Sequence, residues 1–314
     1  MKIYFTSAKS IQKATILITF ILMLCCGKAS AYGVLTHEAI IDAAWEKNIE
    51  PLLKKKFPHS TPEDLSKAHA FAYGGAIMPD MGYFPFGSVF YTNLMHYVRS
   101  GDFVMNLLSE ATNLNEYAFA LGALSHYVSD DDGHPGAVNL SVGMVYPEVQ
   151  KKFGDNITFE EDPVAHRRME FGFDVLQVAR GKYAPKTYHN FIGFEVSESL
   201  LKRAFLLTYG LELKSVFADL PLSVNTFRWS VKSFMPMVTN AAWISKKKAI
   251  ETSQPGIKRK QFNYGISRAK YHHEWGREYH NPRMGAYAIA VMIKLFPKVW
   301  FVRILKFKAP PSTD

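Results

Sequence analysis

Residues 122–139 read GALSHYVSDDDGHPGAVN, which places two histidines, three consecutive aspartates and a Gly-His-Pro tripeptide inside otherwise apolar sequence. His126 and Asp130 are four residues apart, so on a helix starting near Asn113 they project from one face, one turn apart. Leu121, Gly122 and Ser125 on that side are apolar or small, which turns the face inward. A buried imidazole and carboxylate need partners, and a metal ion, a core hydrogen bond or a capped helix end would each supply them. Pro135 disfavours helical geometry at His134 and Gly133 permits a turn, so the helix is expected to end there. His134 is then free to reach a different point of the same cavity.

Outward from this stretch, helix signals dominate. Thr36 is placed to cap a helix through HEAIIDAAWEKN, with Ile40, Ile41, Ala44 and Trp45 on one side. Thr61-Pro62-Glu63-Asp64 supplies a cap, a first-turn proline and acids against the dipole, leading into LSKAHAFAYGG, where Gly74-Gly75 is expected to stop the helix. Further helical stretches cover 92–109, 113–132, 162–181, 195–217 and 222–245, separated by Gly, Pro and Asn clusters. Few segments alternate with period two and no repeat is visible, so the body, residues 32–245, reads as an all-α multi-helix bundle.

Other polar residues fall into the same pattern. His166 and Glu170, in DPVAHRRMEFGFD, repeat the spacing of histidine and carboxylate on a second helix, which Asp162 and Pro163 start well. His96 sits among apolar residues in NLMHYV, and His37 and Asp80 stand near a helix start and a Pro-Asp turn. Singly, each also reads as a core histidine, an exposed ion pair or a capping aspartate. Together they offer nitrogen and oxygen ligands without sulfur, which suits several zinc ions in one cavity of a helical bundle.

The two ends differ from the body. Residues 1–31 carry Lys2, Lys9 and Lys13, an apolar run ATILITFILMLCC too short to span a bilayer, and Ala29-Ser30-Ala31, so they read as a cleavable signal peptide. The mature chain would begin at Tyr32 and be secreted or periplasmic. Cys25 and Cys26 are the only cysteines, so residues 32–314 have no disulfide and no thiolate ligand. Residues 246–314 hold 15 basic and 4 acidic residues against 18 and 24 in 32–245. This basic extension is suited to peripheral contact with an anionic surface such as a membrane, or to a solvated face, and its short apolar helices on either side of Pro297 are expected to pack on the body in preference to lying at a lipid interface.

Over residues 32 to about 180 the chain resembles the superfamily of zinc-dependent phospholipases C and S1/P1-type nucleases, through YGVLTH, GAIMPD, NLMHYV, LSHYVSD, GHP and HRRME. The resemblance implies an all-helical fold around three zinc ions (Zn2+). Asp80, His96, His126 and Asp130 would hold one, and Asp130 would bridge it to a second held by His37 and the main-chain amino and carbonyl groups of Tyr32. His134, His166 and Glu170 would hold the third, while Asp131 and Asp132 face solvent or orient neighbours. The short spacing from Asp130 to His134 is similar to that of glycosylphosphatidylinositol-specific phospholipase D and related bacterial proteins. The activity implied is hydrolysis of a phosphodiester by a metal-bound hydroxide, with Asp80 as the residue that orients or deprotonates the attacking water. A phospholipid or lipid-linked phosphodiester is the expected substrate. Single-stranded nucleic acid is the less favoured alternative because the body is acidic, and a secreted zinc-binding protein without catalysis is a third. No protein partner is indicated.

Overall fold

A computed structural model describes residues 33–179 and 193–231, with a few more between 243 and 256. Residues 1–31, Tyr32 and 257–314 lie outside the described residues, and with them the expectations for the signal peptide, the first-residue ligand and most of the basic extension. Among the described residues there is no strand.

The chain opens with α1 (Val34–Ala44), which passes through a π-helical turn (Trp45–Ile49) into α2 (Glu50–Lys56). Then come α3 (Pro62–Ile77), a 3-10 turn (Met78–Tyr83), α4 (Val89–Tyr97), α5 (Ser100–Glu110) and α6 (Leu114–Gly133). A second π-helical turn (His134–Val138) leads to α7 (Asn139–Val145), α8 (Pro147–Phe153) and α9 (Pro163–Ala179). Finally α10 (Glu198–Tyr209), α11 (Leu213–Val216) and α12 (Leu220–Trp229) close the described part.

Several starts follow from the capping residues. Thr61 accepts from the Asp64 amide at 3.2 Å while Asp64 accepts from the Thr61 amide at 3.0 Å, a reciprocal capping box. Asn113 accepts from the Glu116 amide at 3.0 Å and starts α6 where expected.

Other expectations are corrected. Helix α1 starts at Val34, so Thr36 lies within its first turn instead of capping it. Gly74-Gly75 does not end α3, which continues to Ile77. These glycines serve close approach: a side chain on Gly75 would collide with the Phe119 carbonyl, one on Gly122 with the Ala72 carbonyl, and one on Gly74 with the Glu195 backbone. Helices α3 and α6 thus pack backbone to backbone, which offsets the roughly 1 kcal/mol that each helix-interior glycine costs. The 92–109 stretch is two helices, α4 and α5, parted at Arg99, whose φ of 53° is left-handed. The 195–217 stretch starts at Glu198 and is interrupted at Gly210, φ 65°. The last starts at Leu220, capped by Asp219, and the part of its expected range after Val231 lies almost wholly outside the described residues.

The Gly-His-Pro tripeptide also differs from expectation. Gly133 and His134 keep right-handed helical angles, and the chain runs on through the π turn. Pro135 has no N–H to donate, and the wider turn, closed by Asn139 N–H on the His134 carbonyl, accommodates it without a break.

The apolar core falls into two clusters. The larger buries Ile77, Met78, Tyr91, Phe119, Phe205 and Phe227 among α3, α4, α6, α10 and α12. The smaller joins Val138, Val142, Ile157, Met169 and Phe173, so α7 packs on α9. A cavity of about 350 Å³ opens where α4 and α6 face α7 and α9. No helix among the described residues is long and apolar enough to cross a membrane.

Candidate metal centre

The cavity is lined by His96, His126, Asp130, His134, His166 and Glu170, with Tyr83, Tyr97, Tyr127, Pro135 and Phe159 among the residues around them. Each polar residue arrives on a defined element. His37 is on α1, Asp80 on the 3-10 turn, His96 on α4, His126 and Asp130 on α6, His134 at the start of the π turn, and His166 and Glu170 on α9.

The eight described members of the predicted set fall into three groups whose ligand atoms lie within 4.8 Å of one another: His37, His126 and Asp130; Asp80, His96 and His126; and His134, His166 and Glu170. Asp130 is shared. Its Oδ1 faces His37 Nε2 at 3.4 Å and His134 Nε2 at 3.7 Å, and its Oδ2 faces His126 Nε2 at 3.2 Å and His96 Nε2 at 3.5 Å. Asp131 and Asp132, next in sequence, are exposed.

The hydrogen bonds leave one nitrogen of each inner histidine for a cation. His126 Nδ1 donates to the Ala76 carbonyl and His96 Nδ1 to the Thr92 carbonyl, each at 2.8 Å. Their Nε2 atoms then face each other at 3.2 Å. Ser129 Oγ donates to the His126 carbonyl at 3.0 Å, so at 3.1 Å it accepts from His37 Nδ1 and turns His37 Nε2 to Asp130. In His166 the arrangement is reversed: Nε2 donates to Asn139 Oδ1 at 2.7 Å, and Nδ1 faces Glu170 Oε1 at 2.8 Å.

These residues fit zinc. Tetrahedral ligands about 2.0 to 2.1 Å from an ion stand roughly 3.3 Å apart. His96 with Asp80 at 3.4 Å, His96 with His126 at 3.2 Å and His37 with Asp130 at 3.4 Å match that spacing. Both carboxylate oxygens of Asp80 and of Asp130 are buried without a hydrogen-bond donor, a cost that a cation removes. Electrostatics carry the same imprint. Burial pushes Asp80 well above the usual carboxylate range, and burial followed by the nearby His126 holds His37 well below the usual imidazole value. Burial also works to raise Asp130, but the charge of His126 and the contacts of His126 and His134 outweigh it and hold the carboxyl well below its usual range.

Several residues of the centre escape a sequence reading. Ser129, Thr92 and Asn139 hold histidines in place, and no local pattern announces them. Thr92 also donates to the Pro79 carbonyl at 2.8 Å and accepts from Gly82 N–H at 2.9 Å, which ties the turn bearing Asp80 to the helix bearing His96. Asn139 sits in a glycosylation sequon, yet it is buried and its amide is committed to His166. His69, outside the predicted set, belongs elsewhere: it pairs with Asp42 at 2.9 Å and stacks on Trp45.

Comparison with known proteins adds the family. The family described as zinc dependent phospholipase C matches residues 36–219, more than half of the 314-residue chain. The chain belongs to this zinc-dependent hydrolase family, and its all-helical fold and His/Asp groups agree with that membership. Comparison with curated proteins and comparison with solved structures each gave no match.

Proposed function

We propose that the protein hydrolyses a phosphodiester bond of a phospholipid or lipid-linked substrate, using three zinc ions. The observation that carries this reading is that Asp130 faces histidines of all three ligand groups, His37, His96, His126 and His134, beside one cavity. When bound, zinc would acidify a water towards neutrality and polarise the phosphoryl oxygens. His37, Asp80, His96, His126 and Asp130 are proposed to hold two ions, with the main-chain groups of Tyr32, and His134, His166 and Glu170 the third.

The chain's own residues do the rest. Asp80, with no donor on either oxygen, is the group proposed to orient or deprotonate the attacking water, besides its place beside His96. Tyr97, Tyr127 and Phe159 flank the cavity and provide apolar contact for the lipid part of a substrate. The spacing from Asp130 to His134 supports a relation to glycosylphosphatidylinositol-specific phospholipase D. Export with cleavage after Ala31 is part of the proposal, because it creates the free amino group of Tyr32.

Purified protein starting at Tyr32 is to be assayed on phosphatidylcholine, a glycosylphosphatidylinositol and single-stranded DNA, with and without chelator. Chelator-sensitive release of a lipid head group is expected. Cleavage of DNA alone would replace the lipid reading by the nuclease one, and no turnover despite bound zinc would leave a zinc-binding protein. Adding one residue before Tyr32 is expected to reduce zinc content, and undiminished content would remove Tyr32 from the ligands.

A further inference from the structure

Helix α9 carries a third polar residue on the spacing of its ligands: His166, Glu170 and then Asp174, whose exposure is 0%. Asp174 turns to the start of α1. It accepts from the Thr36 hydroxyl and lies beside the backbone N–H groups of Leu35 and Thr36, the second of which donates to the Gly33 carbonyl at 2.8 Å. The residue in the capping position, Gly33, has no side chain to offer, and Asp174 fills the space one would need. Its Oδ2 has no hydrogen-bond donor among the described residues.

A carboxylate on one ligand-bearing helix therefore binds the first turn of another. Thr36 precedes His37, so the contact lies one residue from the face that points His37 Nε2 at Asp130. We propose that Asp174 is a positioning residue of the metal centre, which locks α1 to α9 and so fixes His37 relative to the group formed by His134, His166 and Glu170. A cap from within α1 would satisfy the same donors but leave the helix free to slide against α9, whereas a carboxylate from α9 sets both its end and its place. Burial pushes the Asp174 carboxyl up to about 7, while the Thr36 hydroxyl and the positive end of the α1 dipole favour its ionised form. This inference rests on the metal reading proposed above.

Zinc content by atomic emission and thermal unfolding test it, on the full chain starting at Tyr32. Asp174→Ala is expected to weaken one of the three zinc equivalents about tenfold or more, as loss of supporting contacts around metal ligands does. Asp174→Asn, which keeps an acceptor for Thr36, is expected to recover most of that loss. Thr36→Val should weaken the same equivalent, and Thr36→Val combined with Asp174→Ala should do little more than Asp174→Ala alone. Asp219→Ala, which uncaps α12 where no candidate ligand stands, is the control and should lower the melting temperature with zinc unchanged. Should Asp174→Ala fail to fold, Asp174→Asn and Thr36→Val carry the test. Wild-type zinc content in Asp174→Ala, with only the melting temperature lowered, would overturn the positioning role and leave the metal reading standing. A wild-type chain that binds no zinc would overturn both.

Discussion

At the scale of the residue, Asp130 is the pivot. One carboxylate facing four histidines, at 3.2 to 3.7 Å, gives a directional prediction. Asp130→Ala should cost zinc at two of the three groups, whereas Glu170→Ala should cost it at one, as read by zinc stoichiometry. Equal losses would argue against a bridging position. Asp80→Asn should abolish turnover on the lipid substrate, and unchanged activity together with unchanged zinc would refute the role given to Asp80. The pairing of His126 with Asp130 was legible in sequence because a helix places residues four apart on one face. The groups that hold the histidines were not, since the Ala76 carbonyl, Ser129 and Asn139 bond to His126, His37 and His166 at separations of 50, 92 and 27 residues.

At the scale of the element, the clearest lesson comes from glycines. Gly74-Gly75 reads as a stop signal, because glycine disfavours helix locally and no local cue shows an opposing backbone. In the fold the same residues let α3 and α6 touch, so Gly75→Ala should destabilise the protein by about 1 to 3 kcal/mol, the usual cost of overpacking, despite alanine's better helix propensity. A gain in melting temperature would contradict the close-packing account. The capping box at α3 gives a second pair of tests. Thr61→Ala should cost about 1 kcal/mol by chemical denaturation. The Thr61 amide and then its hydroxyl hold the exposed Asp64 carboxyl below its ordinary value. A depressed carboxyl contributes stability above its unfolded pKa, about 3.9, and loses it as pH falls through the folded one. The gap in melting temperature between wild type and Asp64→Asn should therefore be present at pH 6 and close in strong acid.

At the scale of the whole molecule, the centre draws on six elements spread along the chain, from His37 to Glu170. Zinc binding should then stabilise the assembled bundle, because an ion that prefers the folded chain raises stability with its concentration. Chelation is expected to lower the melting temperature by several degrees and to abolish activity, with both restored by zinc. A melting temperature indifferent to chelator would show that the bundle closes without its metals.

Sequence by itself determined the helical class, a helix start near Asn113 and the shared face of His126 and Asp130, because these depend on local periodicity and on contiguous motifs, while the division of the candidate ligands among ions was implied by the resemblance alone. The tertiary structure decided what spacing cannot encode: the continuous π turn that carries His134 past Pro135, the glycine contact that sets α3 on α6, and the reach of Asp174 from one ligand helix to the end of another. All three are relations between segments far apart in the chain, or compensations for a local cost, and they come into being only when the helices pack.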